Sequence, residues 1–193
     1  TLEYVFSERK EKVKDKDDVS VMSVVKTGEV VDPEDVFSKQ VHSKDISKYK
    51  LLYPLDIGFN PSRVNIGSIG FNKTGLFGAM SPIYTVMKLK DENFYPMMEL
   101  FVKTPKTKKW INILASGSVR QSLSQKDFLS IPIVIPTDSL ITEFNFLFTQ
   151  LHESVEAKKA EIITLQKTRD TLLPKLLSGE LDVSELELDH VTH

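Results

Sequence analysis

The sequence predicts an α+β protein: a compact mixed domain over residues 1–136, one long α-helix over residues 137–179, and a short tail over residues 180–193. Three observations carry this expectation. Runs of β-branched residues bounded by turn formers recur through the first two thirds of the chain. Glycines and prolines cut the stretch between those runs into short pieces. Beyond Pro136 neither residue occurs until Pro174, and the apolar positions there alternate at spacings of three and four.

Taken in order, the chain opens with a short helical pattern, Leu2, Val5, Phe6 and Arg9, and passes into "ERKEKVKDKDD", expected to be a solvated charged stretch. "VSVMSVV" (Val19–Val25), "SPIYTVMKL" (Ser81–Leu89) and "SIPIVIP" (Ser130–Pro136) predict strands. Gly58, Pro61, Gly67, Gly70, Gly75, Gly78 and Pro82 punctuate the middle into short strands and tight loops. "DENFYPMMELFVKT" predicts a helix with Pro96 early and Met97, Leu100 and Phe101 on one face.

Thr137 or Asp138 can cap the long helix. Its apolar seam runs Ile141, Phe144, Phe148, Leu151, Val155, Lys158, Ile162, Leu165, Arg169, Leu172, Leu176, the a/d pattern of a coiled coil. About 40 residues at 1.5 Å each give a helix roughly 60 Å long. It is expected to project beyond the domain that precedes it, and a projecting apolar seam needs a partner. The phenylalanines of the first three turns can pack on their own domain instead. Pro174 removes the hydrogen bond to the Asp170 carbonyl and is expected to bend the last turn outward. Gly179 suits a left-handed stop. The charged seam positions, Lys158 and Arg169, fit a register-setting role that costs stability.

Composition narrows the function. There is no cysteine, so structural disulfides and thiolate metal sites are excluded. No apolar run approaches the roughly 20 residues that span a bilayer. The start is too charged for a signal peptide. A cytoplasmic location is the expectation, and a chain opening on Thr1 suggests a piece processed or excised from something longer. The net charge of −2 is unevenly spread. Residues 57–126 hold 10 basic against 3 acidic side chains, whereas residues 138–193 hold 5 against 11. A basic middle hints at a polyanion partner, although solvated surfaces carry such runs too.

Catalytic signatures are lacking. His42, His152, His190 and His193 are scattered, and none joins a carboxylate at metal-ligand spacing. "GSIG" (Gly67–Gly70) reads as a turn rather than a phosphate cradle. "FNPSR" (Phe59–Arg63) approaches the Asn-Pro-Pro-aromatic run of DNA amino-methyltransferases, but Ser62 and Arg63 replace the second proline and the stacking ring. As a turn it would present Asn60, Arg63 and Asn65, groups that hydrogen-bond phosphates and base edges. "KTPKTKKW" (Lys103–Trp110) is either a solvated loop anchored by Trp110 or a phosphate clamp. "ASGSVRQSLS" (Ala115–Ser124) offers Arg120 and Gln121, which can pair with guanine and adenine, or it is a solvated turn. Under the DNA-recognition reading that the resemblance described next implies, the candidate DNA contacts are Asn60, Arg63, Asn65, Lys73, Lys103, Lys106, Lys108, Lys109, Arg120 and Gln121.

In this order the blocks resemble the specificity subunits of type I restriction-modification systems. The resemblance is carried by "ERKEKVKDKDD" before "VSVMSVVKTGEVV", by "SKDISKYKLLYPLDIGFNPSRVNIGSIG" before "GAMSPIYTVMKL", by "FLSIPIVIP" entering the helix, and by "LLPKLLSGELDV" at its end. One departure is that the family usually has Glu-Gln soon after the proline that opens the helix, where this chain has Glu143 followed by Phe144. The resemblance implies that residues 1–136 form a target recognition domain and that the helix is a spacer pairing as an antiparallel coiled coil. It implies a subunit without catalysis of its own, which reads one half of a split double-stranded DNA target and docks methyltransferase subunits. A motor-nuclease subunit would join for restriction. S-adenosylmethionine, ATP and Mg2+ would then sit on partner subunits only. With one recognition domain and one helix, the chain would be half of a longer subunit or a natural half-subunit acting as a homodimer. Two such helices would separate recognition domains by more than one DNA turn, about 34–36 Å. The competing expectations are a coiled-coil adaptor that binds protein, and an enzyme acting through Asn60-Pro61 or as a nuclease. Salt-dependent DNA affinity separates a DNA-recognition subunit from the adaptor.

Overall fold

The computed structural model describes residues 1–14, 19–32, 45–115 and 122–181. They form a mixed α+β structure with a long C-terminal helix. By backbone proximity the chain divides into two units, Thr1–Asn145 and Phe146–His193.

In the first unit, four short strands make an antiparallel sheet in the order β1 (Phe6–Glu8), β9 (Thr85–Leu89), β6 (Ile57–Phe59), β7 (Ile69–Phe71). Its register sets Ile57 between Phe71 and Met87. A second sheet places β8 (Gly78–Met80) between β2 (Ser20–Val21), parallel to it, and β5 (Lys50–Leu52), antiparallel. Strands β3 (Ser23–Val24) and β4 (Val30–Val31) form a hairpin. Three helices follow: α1 (Tyr95–Phe101), α2 (Pro105–Leu114) and α3 (Gln125–Ser130). Their apolar faces join the four-stranded sheet in the main core, where the Phe128 ring lies 4.9 Å from that of Phe59 and 5.8 Å from that of Phe6. Ile141, in the first turn of α4 (Asp138–Leu177), is buried in the same core.

Local chemistry explains where the expected elements shift. The opening helical pattern is one 3-10 turn, Leu2–Tyr4, after which Phe6 enters β1. The run expected as one strand from Val19 divides at Met22, whose N–H donates to the Ala79 carbonyl at 2.7 Å. Its first part pairs with β8 and its second turns back on β4. Ser81–Tyr84 makes a turn, so that strand starts at Thr85. Ser130–Pro136 is no strand, since Pro132 and Pro136 have no N–H to give a ladder. Its period of two survives in the packing: Ile131 is fully buried, Ile133 and Ile135 lean on the core, and Val134 is 82% exposed. In α1 the buried face is Met98 and Glu99, and Leu100 points outward.

Residues 8–14 of the charged opening stretch are more structured than their composition suggests. The Arg9 guanidinium pairs with the buried Asp56 carboxylate and with Glu11 at 3.0 Å, and stacks 4.2 Å from the Tyr53 ring centre. Val13 is fully buried, and its N–H donates to the Tyr49 carbonyl.

Glycine serves close packing at Gly67–Gly70. A Cβ on Gly70 would collide with the Gly28 carbonyl, and one on Gly67 with that of Lys26. The Ser68 hydroxyl donates to the Val24 carbonyl at 3.1 Å. "GSIG" is the seat of the β3–β4 turn, as a tight turn requires and a phosphate cradle does not.

In the second unit α4 runs on through Pro174 to Leu177. It stops at Gly179, φ 73°, whose N–H donates to the Leu176 carbonyl at 3.2 Å. The carbonyl of Pro174 is taken by the Ser178 N–H at 2.9 Å. No helix of the described residues is long and apolar enough to cross a membrane.

Candidate nucleic-acid interface

α2 packs against the 3-10 turn Val64–Ile66, and Arg63, Lys106, Lys108 and Lys109, in or beside these two elements, are exposed. That turn is built from the Asn60 side chain outward. Asn60 Oδ1 accepts from the Ser62 N–H at 3.0 Å, and its carbonyl accepts from the Arg63 N–H at 2.9 Å. The Arg63 carbonyl in turn accepts from the Ser68 N–H at 3.1 Å. Asn60 was expected at the surface but is buried, because its amide closes the turn. Arg63 and Asn65 are exposed.

The "KTPKTKKW" segment is not a loop. Thr104 caps α2 by accepting from the Thr107 N–H at 3.1 Å, Pro105 starts the helix, and the Thr107 hydroxyl donates back to the Phe101 carbonyl at 2.6 Å. Thr107 and Ile111 are buried, and Trp110 leans on the core. Lys106, Lys108 and Lys109 lie on the exposed side. The helix has no acid in its first turn and no base in its last. Cations at the positive end of the helix dipole, with Lys106 and Lys109 as a like-charged pair three residues apart, work against helix stability. An anion docked there would relieve both. Ile66 and Ile113, 51% and 60% exposed, are apolar members of the same two elements.

Lys73 and Lys103 are placed differently. Both ammoniums donate to Glu99 Oε1, at 2.9 and 3.2 Å, while the Tyr95 hydroxyl donates to Oε2 at 2.6 Å. Burial of Glu99 opposes its ionisation, but Tyr95 and the two lysines outweigh it and hold the carboxyl down to about 2. The same burial, with the carboxylate beside it, pushes the Tyr95 hydroxyl up. Tyr95 and Glu99 were not among the expected site residues. Their signal lay in the sequence, because residues 95, 99 and 103 recur at the four-residue spacing of one helix face.

Arg120 and Gln121 lie outside the described residues. The Leu123 N–H donates to the Pro61 carbonyl beside the turn at 3.0 Å. Among the described residues no group of three or more His, Asp or Glu could hold a metal ion.

Of the expected seam, Ile141 is buried in the core of the first unit and Phe144 is half-buried. In the second unit Phe148 stacks on His152 at 5.9 Å. Leu151, Val155, Ile162, Leu165, Leu172 and Leu176 are between 41% and 68% exposed. The two charged seam residues pair along their own helix, Lys158 with Glu161 at 2.8 Å and Arg169 with Asp170 at 2.7 Å.

No family model matches the chain. Among curated proteins it is 37% identical over 70 residues to the type I restriction enzyme MjaIX specificity subunit of Methanocaldococcus jannaschii, covering 36% of this chain and 16% of that protein. It is 32% identical over 92 residues to the HindI specificity subunit of Haemophilus influenzae, covering 47% of this chain and 20% of that protein. The chain is thus similar to type I specificity subunits, and the matches span a fifth or less of those relatives' lengths.

Proposed function

We propose that the chain is a non-catalytic DNA-recognition subunit of a type I restriction-modification system. It reads one half-site of a split double-stranded target through the face formed by the Val64–Ile66 turn and α2. Arg63, Asn65, Lys106, Lys108 and Lys109 supply the contacts there, with Arg120 and Gln121 as candidates for base reading. The observation that carries the reading is the lysine cluster at the N-terminal end of α2. It disfavours the helix by itself and is favoured once phosphates neutralise it. Similarity to two specificity subunits supports the same reading.

In this proposal residues 1–136 are the recognition domain and the helix that follows pairs antiparallel with a second copy, or with a second recognition half. The pairing sets the distance between half-sites. Methyltransferase subunits dock on the assembly, and a motor-nuclease subunit joins for restriction. S-adenosylmethionine, ATP and Mg2+ belong to those partners, in the cytoplasm. The test is selection from a randomised duplex library, using the chain with its co-purifying methyltransferase subunit. A gapped palindrome is the result expected of a homodimer, and the gap length tests the spacer. A single ungapped half-site would point to half of a longer subunit. Enrichment of nothing at low salt would overturn the reading in favour of a protein-binding adaptor.

A further inference from the structure

Lys73 and Lys103 are far apart in the chain, one just after β7 and one two residues beyond α1, yet both reach a single oxygen of Glu99. Their ammoniums are therefore within about 6 Å of each other by geometry alone. Glu99 is nearly buried, with 7% of its side chain exposed, whereas Lys73 and Lys103 are 39% and 54% exposed. The carboxylate cannot follow the lysines into solvent, since the Tyr95 hydroxyl holds its other oxygen. The lysine heads can turn from it to another anion. Lys103 also stands three residues before Lys106, so its Cα lies within about 11 Å of the cluster on α2.

We infer that Glu99 is an internal stand-in for a DNA phosphate, which holds Lys73 and Lys103 while the protein is free and competes with the backbone for them when DNA arrives. This rests on the DNA-recognition reading and adds a residue that sets how strongly the face binds any sequence. A phosphate brought to the pair gains two ammoniums but must share them with a carboxylate. The net charge it meets is +1 instead of +2. The consequence is restraint: binding that depends on charge alone is weakened, and the share left to base contacts grows.

The test is Glu99→Gln, which keeps the shape and an acceptor for Tyr95 but removes the charge. Binding of the chain with its methyltransferase subunit is measured on target and on unrelated duplexes across a salt series. The expected result is an affinity at least about threefold higher on both duplexes, the effect of one unit charge about 6 Å from a phosphate when fully screened by water. The salt dependence should steepen by up to about 0.9 for each lysine released. Adding Lys73→Ala and Lys103→Ala to the Glu99→Gln variant should abolish that gain. Unchanged affinity and slope, in a folded variant, overturn the inference. Lys106→Ala with Lys109→Ala in the otherwise native chain is the separate control. If it weakens binding while Glu99→Gln does nothing, the recognition reading stands and this inference falls. If neither changes binding, the recognition reading itself has failed. Should Glu99→Gln not fold, Lys73→Ala and Lys103→Ala in the native background decide. A joint loss smaller than that of the Lys106, Lys109 pair is expected, and a larger loss refutes the competition.

Discussion

Replacing Lys106 and Lys109 by alanine should make the protein more stable and a poorer DNA binder at once. Lys106 is the second residue of α2, inside the turn where the dipole is felt, and Lys109 sits one turn beyond it. Relief of the dipole conflict is worth about 0.3–1 kcal/mol, and removal of the like-charged pair about 0.2–0.5 kcal/mol. Both side chains are exposed, so no core contact is lost in exchange. The expected gain is about 0.5–1.5 kcal/mol, or a Tm rise of roughly 1–6 °C for a chain of this size. The loss is read in the salt series. Two phosphate contacts removed should flatten the slope of log K against log salt by about 1.8, uniformly across sequences. Between 50 and 200 mM salt the native chain should therefore lose about twelvefold more affinity than the variant. Calorimetry and fluorescence anisotropy measure the two sides. A variant that is less stable and binds with an unchanged slope would refute the reasoning, because the lysines would then serve the fold.

The ion cluster predicts an acid limit. Glu99 is held down to about 2, below its ordinary value of 4.5, so its contribution is complete above that value and fades as pH falls toward 2. The shift sets a ceiling of about 3 kcal/mol, which the half-exposed lysines reduce to about 1–2 kcal/mol. Urea midpoints at pH 7 and pH 3 should converge between the native chain and Glu99→Gln at the lower pH, and parallel curves would refute the assignment. Ile141→Ala should destabilise the first unit by about 2–4 kcal/mol, as loss of a core side chain does, without changing the association state in sedimentation. Leu165→Asp should do the reverse, since Leu165 is 60% exposed among the described residues and lies on the proposed pairing seam. Gly70→Ala should cost at least about 2 kcal/mol in denaturant unfolding, because the added methyl meets the rigid Gly28 backbone; an unchanged midpoint would show that the hairpin yields.

What could be read from the sequence follows from which physical signal each element leaves in it. The long helix was legible to within a residue or two, because forty residues of 3–4 spacing between Pro136 and Gly179 admit little else. Strands of two or three residues, such as β2 and β3, leave too little pattern for their sheet to be assigned, and only tertiary contact parts them at Met22. Ser130–Pro136 misled for a clear reason: alternation reports which side chains face inward, and a ladder needs N–H groups that two prolines lack. The lysines of α2 were visible as a charge excess, but not as part of a helix, because "KTPKTKKW" looks polar until Thr104 is recognised as a cap with Pro105 behind it. Asn60 was identified as important for the wrong property, as it shapes the turn from inside and leaves presentation to Arg63 and Asn65.

Pro174 and Gly179 together give the end of α4 its purpose. Pro174 has no N–H to give the Asp170 carbonyl, so the helix goes without that one hydrogen bond a turn before its end. Here the Ser178 N–H satisfies Pro174 itself, and Gly179 closes the terminus through Leu176. The helix could have ended at its charged turns near Lys167, with fewer exposed leucines. Instead Leu172 and Leu176 extend the seam on either side of the proline, 42% and 41% exposed. Each would gain roughly 1 kcal/mol by burying that half of its surface. Such surface is costly to carry alone, and it reaches to the last turn of the helix. In the proposed assembly, a spacer that fixes the distance between two recognition domains would need contact along its whole length, because a seam confined to one end would hold the helices together without fixing their register.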